Sequence, residues 1–234
     1  MAAHIRPASP NSSSDLSALS RICVLTANAG KDASDNHIIA EMPGYVYAVP
    51  YGAPAVRDVP ESKTFAFILE SDEPDSKGEA VGYVVGTADT KAYEGALEKV
   101  WWPALREKHP LALKEAEEDG ALKAGDKSYL EILHKPNLTP APILTYSPAH
   151  IHINILPSHQ RRGYGRVLIG AAARHLRETW GVQRLWLGID PKNGDARTFY
   201  KKIGFKDLRE VNGVEGVEGL DGEYLGVDVN SVIV

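Results

Sequence analysis

A strand, a glycine-containing turn and a helix follow one another within residues 149–207, and this order constrains the fold more than any other part of the chain. Ile151, Ile153 and Ile155 alternate with polar residues, which is the pattern of a strand with one apolar and one polar face. The turn at residues 160–165 leads into apolar residues at helical spacing. A second strand, a short helix and a third strand complete the predicted segment.

The turn is predicted to bind an anion. The first turn of a helix leaves backbone N–H groups without partners, and the helix dipole favours negative charge there. Gly163 and Gly165 lack a Cβ, so a phosphate can approach the backbone closely. Positive charge around the same turn comes from Arg161, Arg162 and Arg166. The pattern therefore indicates a site for a diphosphate.

Two common phosphate-binding motifs do not fit this turn. Leu168 occupies the third glycine position of the dinucleotide fingerprint, and no Gly-Lys-Ser/Thr follows the turn as in a P-loop. The segment instead resembles the acetyl-CoA loop of the GNAT superfamily of N-acetyltransferases, where Q-x-x-G-x-G follows the end of the fourth strand. The residues that carry this likeness are Ile155, Leu156, Pro157, Gln160, Gly163 and Gly165. A second GNAT-like motif, N-x-x-A-x-x-F-Y-x-K-x-G-F, occupies residues 193–205.

A narrower resemblance covers residues 4–228. This range is similar to the acetyltransferase-like domain at the C-terminus of animal O-GlcNAcases and to its stand-alone microbial relatives. The similar blocks are residues 5–7, 25–32, 43–51, 81–89, 101–103 and 150–157. The acetyl-CoA loop is degraded in the animal domains but intact here, so we expect a functional cofactor site. We expect residues 1–234 to form one GNAT domain, with its core at 4–228 and its cofactor-binding segment at 149–207.

The resemblance implies an α/β fold of the α+β type. The expected sheet is mixed but mostly antiparallel, has about six or seven strands flanked by helices, and has splayed fourth and fifth strands. The local patterns predict further strands at residues 4–8, 45–49, 64–70, 80–87, 206–211 and 224–229. They also predict helices that begin near residues 15, 89 and 126, an exposed helix and loop over 107–127, and an extended connection over 136–148.

Charge and cysteine content narrow the partners and the compartment. The chain has 26 Lys and Arg residues against 31 Asp and Glu residues, a net charge of −5 that disfavours general nucleic-acid or membrane binding. The one cysteine, Cys23, lies in an apolar helical pattern, and we predict a small buried side chain. A single cysteine favours a reducing compartment, so we expect a cytoplasmic protein with nuclear access. No apolar run is long enough to span a membrane.

The GNAT resemblance implies acetyl transfer from acetyl-CoA to a primary amine by direct attack in a ternary complex. Backbone groups of Ile155 and Leu156 are expected to pair with the pantetheine arm, and an N–H near Ile155 to polarise the thioester carbonyl. Tyr200 is expected to protonate the leaving thiolate, with packing beside Phe199 as the alternative. The other cofactor-binding residues that the resemblance implies are Gln160, Arg161, Arg162, Gly163, Tyr164, Gly165, Arg166, Asn193 and Arg197. Asn193 either contacts the pantetheine arm or caps a helix.

The general base is harder to assign. Many GNAT relatives use a glutamate early in the fourth strand, where this chain has Ala149. His150, His152 and Asn154 share the polar face of that strand. Since a histidine titrates near physiological pH, we favour His152 as the base and His150 second, with histidines satisfied by water or neighbours as the alternative. A zinc site is disfavoured, and no metal is expected, because a third ligand at suitable spacing is missing.

The residues expected at the acceptor site are Asp32, Trp101, Trp102, Asn154 and Asp190. Core packing is the alternative for the two tryptophans, and orientation of a loop is the alternative for Asp190. The acceptor itself stays open among a small amine, an aminoglycoside-like molecule, a peptide N-terminus and a protein lysine. The protein is expected to be a monomer or a homodimer.

Two other functions stay open at this point. One is a catalytically inactive acetyltransferase-like module that recognises a peptide or a glycan, which the alanine at Ala149 permits. The other is a nucleotide-binding regulator, although the sequence contains no base- or magnesium-binding motif. The intact loop at residues 160–165 favours the enzyme.

Overall fold

The computed structural model describes residues 2–115 and 122–233. Seven strands within these residues form a sheet in the order β1-β2-β3-β4-β5-β7-β6. They are β1 (Ala3–Pro7), β2 (Thr64–Ser71), β3 (Ala80–Thr87), β4 (His150–Ile155), β5 (Arg184–Ile189), β6 (Lys206–Asp207) and β7 (Glu223–Asp228). β4 and β5 pair in parallel, and the other neighbours pair antiparallel. The predicted fold class is therefore confirmed.

Helices cover both faces of the sheet. They are α1 (Ser13–Val24), α2 (Met42–Tyr47), α3 (Val49–Gly52), α4 (Pro54–Arg57), α5 (Thr90–Ala96), α6 (Trp102–Lys108), α7 (Ala124–His134), α8 (Ala141–Tyr146), α9 (Tyr164–Trp180) and α10 (Gly194–Lys202). α9 and α10 pack on one face in a large apolar core. The second core lies between the opposite face and helices α1 to α7. A smaller cluster joins α8 to β5 and to the segment before β7.

Helix α9 forms because its apolar residues recur on one face. Leu168, Ile169, Ala172 and Leu176 are fully buried against the sheet. The helix ends at Gly181, whose φ of +68° is readily adopted by glycine and lets its N–H bond back to the last turn. The predicted helix after the glycine turn is confirmed.

The prediction of a strand at residues 45–49 is wrong, because α2 and α3 occupy this region. Pro43 and Pro50 were interpreted as residues that bound a strand, but each lies in the first turn of a helix, where its missing N–H is harmless. Gly44 also allows a close contact with α1, since a Cβ there would lie 2.4 Å from the Ser20 Oγ. Tertiary packing thus overrides the local preference for a strand.

Two further predictions need correction. Residues 136–148 are not wholly extended, because α8 forms with Pro142 in its first turn. The strand predicted at 206–211 is limited to β6, since the Asp207 carboxylate accepts a hydrogen bond from the Arg209 N–H and starts a 3₁₀ turn. The helix and loop predicted over 107–127 lie partly outside the described residues. Cys23 is buried with 1% exposure, as predicted.

Candidate active site

A cleft of about 680 Å³ opens where β4 and β5 diverge. Within the described residues these strands share a single paired position, His150 with Trp186, next to a bond of 3.0 Å from the Trp186 N–H to the Ala149 carbonyl. Beyond this point the strands separate, so the predicted splay is confirmed. The cleft is lined by Thr26, Ala29, Gly30, Lys31, Ile153, Asn154, Ile155, Gln160, Arg161, Gly163, Gly165, Arg166, Asn193, Asp195, Ala196, Thr198, Phe199, Tyr200 and Lys202.

The two glycines of the turn serve different purposes. Gly163 caps α9 with φ +86°, a left-handed conformation, and a Cβ at this position would meet open space. Gly165 has no such backbone requirement, but a Cβ there would lie 2.8 Å from the Phe199 Cζ. The turn therefore leaves the start of α9 accessible from the cleft and lets α9 pack closely on α10.

The charge of the cleft is mainly positive. Arg161, Arg166, Lys31 and Lys202 line it, and Asp195 is the acid among the described lining residues. Arg161 and Asp195 form a long, exposed ion pair of 3.7 Å, which contributes little. With the unpaired N–H groups at the start of α9, this arrangement suits a multiply charged anion.

Four residues predicted to bind the cofactor are engaged elsewhere in the protein. Arg162 pairs with Glu73 in the turn between β2 and β3. Arg197 makes two hydrogen bonds of 2.5 Å to the Glu223 carboxylate. Tyr164 is buried in the core beside α9, and the Leu156 N–H bonds to the Val81 carbonyl at 2.8 Å.

Two cleft residues organise the backbone around them. The Gln160 side chain donates from Nε2 to the Ile155 carbonyl at 2.8 Å, which ties the turn to the end of β4. Because the Leu156 N–H faces β3, the backbone groups of Ile155 face the opposite side, toward the gap. The Asn193 Oδ1 accepts a hydrogen bond of 3.0 Å from the Ala196 N–H and caps α10.

Tyr200 lies on α10 and faces the cleft from the apolar core. Its ring packs against Phe199 and Phe205, with centroid distances of 5.2 and 5.4 Å. Within residues 2–115 and 122–233 its hydroxyl has no hydrogen-bond partner, and burial raises the pKa of Tyr200 above its ordinary value. The hydroxyl is therefore protonated at neutral pH and available as a donor.

His152 and Asn154 lie on the opposite face of β4. The Asn154 Nδ2 donates to the Tyr83 hydroxyl at 2.8 Å and lies 3.3 Å from the His152 Nε2. Tyr47 and Tyr83 flank the His152 ring at centroid distances of 5.7 and 5.8 Å. Burial lowers the pKa of His152 to about 4, so the ring is neutral at physiological pH.

His150 belongs to a buried network. Its Nε2 lies 2.6 Å from the Tyr51 hydroxyl and its Nδ1 lies 2.7 Å from the Thr90 Oγ1. Because the Thr90 hydroxyl donates its hydrogen to the Pro148 carbonyl, we assign the proton of the ring to Nδ1. Burial lowers the pKa of His150 to about 3. Both ring nitrogens of His150 thus have hydrogen-bond partners. The His152 ring, by contrast, is only half-buried.

The remaining predicted acceptor residues lie outside the cleft lining. Asp32 is exposed and accepts a hydrogen bond from the Ser34 N–H, and Asp190 accepts one from the Lys192 N–H. Trp102 is buried in the core. Trp101 packs beside it and donates from Nε1 to a backbone carbonyl. No group of three or more His, Cys, Asp or Glu residues in the described part of the chain is arranged to hold a metal ion.

A tight hairpin at Asn28 to Lys31 was not predicted, although it forms one wall of the cleft. Asn28 and Lys31 exchange two backbone hydrogen bonds of 2.9 and 3.0 Å. The residues between them, Ala29 and Gly30, have φ values of +49° and +87°, as in a type I′ turn. A glycine preceded by Asn-Ala is the signal that a search for such turns would use.

The sequence matches a family of known proteins. Residues 41–205 match the Acetyltransferase (GNAT) family. The chain belongs to this family. It is 44% identical over 57 residues to the ribosomal protein bS18-alanine N-acetyltransferase of Haemophilus influenzae, and 29% identical over 73 residues to an N-alpha-acetyltransferase of Sulfurisphaera tokodaii.

These two matches cover 24% and 31% of this GNAT chain, and 38% and 44% of the two relatives, so less than half of each relative is spanned. A more extensive likeness is to the crystal structure of SsHAT, which is 32% identical with a TM-score of 0.74. That match covers 98% of this chain and 99% of SsHAT. None of the helices in the described residues is long and apolar enough to cross a membrane.

Proposed function

We propose that this GNAT protein is an acetyl-CoA-dependent N-acetyltransferase that lets a primary amine attack the acetyl group directly in a ternary complex. The observation that carries the proposal is the cationic cleft between β4 and β5, which begins at the exposed start of α9. The narrower likeness to the acetyltransferase-like domain of O-GlcNAcases is part of this proposal, as is a GNAT unit over residues 4–228 in the cytoplasm.

Acetyl-CoA fits the residues that line this cleft. A Cβ at Gly163 would meet open space, so the first turn of α9 offers a cradle for a pyrophosphate. Arg161 and Arg166 bring positive charge to it, and the Ile155 N–H lies at the edge of β4 that an extended arm would follow. When bound, acetyl-CoA supplies an acetyl group activated as a thioester.

Two side chains would handle the protons of the reaction. The Tyr200 hydroxyl donates its proton to the leaving sulfur, because burial keeps the tyrosine protonated. His152 accepts the amine proton, since its ring is neutral at physiological pH. Asn154 lies beside this ring, with its Nδ2 3.3 Å from the His152 Nε2. His150, with both nitrogens bonded, is the second candidate.

Calorimetry with acetyl-CoA and a thiol-release assay with a panel of amines test the proposal. We expect a dissociation constant in the micromolar range, and thiol release with at least one class of primary amine. A cleft that does not bind the cofactor would contradict the proposal. Binding without thiol release for any small amine, peptide N-terminus or lysine peptide would favour the inactive binding module instead, consistent with the buried Ala149 at the usual glutamate position.

A further inference from the structure

A second hollow lies behind the hairpin that walls the cleft. It has a volume of about 410 Å³ and is lined by parts of the hairpin, of the segment after it and of α7. Ala29 to Lys31 face the cleft, whereas Asn28 and the preceding Ala27 face this hollow. The hairpin is thus a partition between two spaces, one of which we assign to acetyl-CoA.

Buried hydrogen bonds hold α7 against the segment that lines one side of the hollow. The Asp126 carboxylate is fully buried and accepts hydrogen bonds from the backbone N–H groups of Ile38 and Ile39, at 2.7 and 3.2 Å. It also contacts the His37 Nδ1 at 3.1 Å. A Cβ at Gly125 would lie 2.5 Å from the Asn36 carbonyl oxygen, so α7 packs directly on this segment. A ligand would meet a preformed wall here.

A row of aromatic rings connects the hollow with the candidate base. Tyr129 lines the hollow, and its centroid lies 6.0 Å from that of Tyr47, which lies 5.7 Å from that of His152. Tyr47 is 42% exposed, and within the described ranges neither its hydroxyl nor that of Tyr129 has a hydrogen-bond partner. Tyrosine faces bind an aliphatic stem and attract an ammonium group.

Apart from His37, the described lining of the hollow contains one acidic side chain, Asp35, and one basic side chain, Lys123. The Asp35 carboxylate has no partner among the described residues. The Lys123 Nζ donates to the Asp35 carbonyl at 2.8 Å and keeps two further N–H groups. An ammonium group and a carboxylate on one carbon, as in a free amino acid, would complement these two side chains.

We propose that the acceptor is a free diamino acid of the lysine type, with its α-amino acid end in this hollow and its ω-amine at His152. The inference rests on the proposed function and names its substrate class. Asp35 binds the α-ammonium and Lys123 the carboxylate, while the aliphatic stem lies along Tyr129 and Tyr47. The new N–C bond forms at the ω-nitrogen as the thioester C–S bond breaks, with one amine proton passing to His152 and the proton of Tyr200 to sulfur.

Thiol release with four acceptors tests the assignment. These are L-lysine, L-2,3-diaminopropionate, pentylamine and Nα-acetyl-lysine methylamide, and the acetylated nitrogen is located by NMR. We expect kcat/KM for lysine to exceed that of pentylamine and of the capped lysine roughly 10- to 100-fold, because both lose charged hydrogen bonds. Diaminopropionate is expected to react poorly, because its stem is three methylene groups shorter than that of lysine. The product should carry the acetyl group on the ω-nitrogen.

Substitutions in the hollow test whether its side chains cause the preference for lysine. Asp35→Asn and Lys123→Met should each raise the KM for lysine roughly 10-fold or more, with little change for pentylamine and an unchanged acetyl-CoA affinity. The matched controls are Glu61→Gln and Lys99→Met, exposed charges far along the chain from the hollow. Tyr47→Ala should raise the KM for both lysine and pentylamine, whereas Tyr47→Phe should keep it.

Three results would overturn the assignment while leaving an N-acetyltransferase in place. They are equal kcat/KM for lysine and pentylamine, a preference for the capped lysine, and acetylation of the α-nitrogen. Acetyl-CoA binding without thiol release for any amine class would overturn the proposed function itself.

Discussion

The two faces of strand β4 differ in how they control a proton. One face carries three isoleucines and packs on α9 and α10 in an apolar core that also holds Tyr200. The other carries two histidines and an asparagine, which meet hydroxyl groups from α3, β3 and α5. The candidate acid thus lies on the apolar side and the candidate base, His152, on the polar side.

Burial acts on these two groups in opposite directions. It raises the pKa of Tyr200 and lowers that of His152, because it disfavours the charged form of each. The tyrosine is therefore kept protonated and the imidazole kept neutral by one physical cause. Desolvation alone can thus prepare a candidate acid and a candidate base for their roles, although they lie on opposite faces of β4.

Replacement of Tyr200, the candidate acid on the apolar side of β4, should have the largest effect. We expect Tyr200→Phe to lower kcat roughly 10- to 1,000-fold, because the leaving sulfur loses its proton donor, while acetyl-CoA affinity is kept. Steady-state kinetics and calorimetry measure the two quantities. Tyr146→Phe, a change at the buried tyrosine that ends α8, is the matched control. Unchanged kcat in Tyr200→Phe would remove this tyrosine from the mechanism.

The polar side should make stability depend on pH. His150 has a folded-state pKa of about 3 against an ordinary value of 6.5, so the unfolded chain binds its proton first as the pH falls. The contribution of His150 to the free energy of unfolding is fully present above pH 6.5 and is lost as the pH falls toward 3. It amounts to on the order of a few kcal/mol in total.

Urea unfolding at several pH values measures this dependence. We expect a shallower loss of stability between pH 6.5 and 3 in His150→Phe than in the native protein. His4→Gln, a change at an exposed histidine, is the control for removing an imidazole. An identical pH dependence in His150→Phe and the native chain would show that His150 does not titrate as its burial requires.

The apolar side should respond to added volume. Gly165→Ala places a methyl group against the Phe199 ring, and overpacking of this kind costs about 1–3 kcal/mol. We expect a lower urea midpoint and weaker acetyl-CoA binding, because α10 is displaced from α9. Gly194→Ala is the matched control, since a Cβ there has no neighbour within 4 Å. If both variants unfold at the same urea concentration, the close contact is not important for stability.

The smallest expected effect is a difference in acetyl-CoA affinity between variants of Arg161 and of Arg162, which lie in the same turn. Arg161→Gln should weaken acetyl-CoA binding by about 3- to 10-fold, because its charge lines the cleft. Arg162→Gln should leave the affinity nearly unchanged, since Arg162 pairs with Glu73. Calorimetry at two salt concentrations measures both, and the Arg161 effect should shrink at high salt. A larger effect at Arg162 would contradict the assignment of these two side chains.

The predictable part of this protein is the part whose contacts are local. Residues 149–207 contain β4, the turn, α9, β5 and α10 in sequence, so periodicity and glycine spacing were enough to predict them. Arg162 and Arg197 show the limit of this approach, because their partners Glu73 and Glu223 come from distant parts of the chain. Sequence spacing identifies a turn that can bind an anion, but not which of its charges is already paired.

The proposed acceptor site was hardly predictable from the sequence for the same reason. Its surroundings are assembled from the hairpin, α2, α7 and β4, which are far apart in sequence. Prolines misled the local interpretation twice, at 45–49 and 136–148, because a proline before a strand and a proline in the first turn of a helix look alike. Only the packing of α2 on α1 decides between them at Gly44.

The single cysteine gives the experimenter a practical advantage. Cys23 is 1% exposed, and burial raises the pKa of its thiol to about 12, so the native protein presents no reactive sulfur from this residue. Colorimetric reagents that capture liberated coenzyme A can therefore be used in continuous assays without a protein background. In the absence of substrates, slow labelling of the same thiol would report how often helix α1 detaches from the sheet.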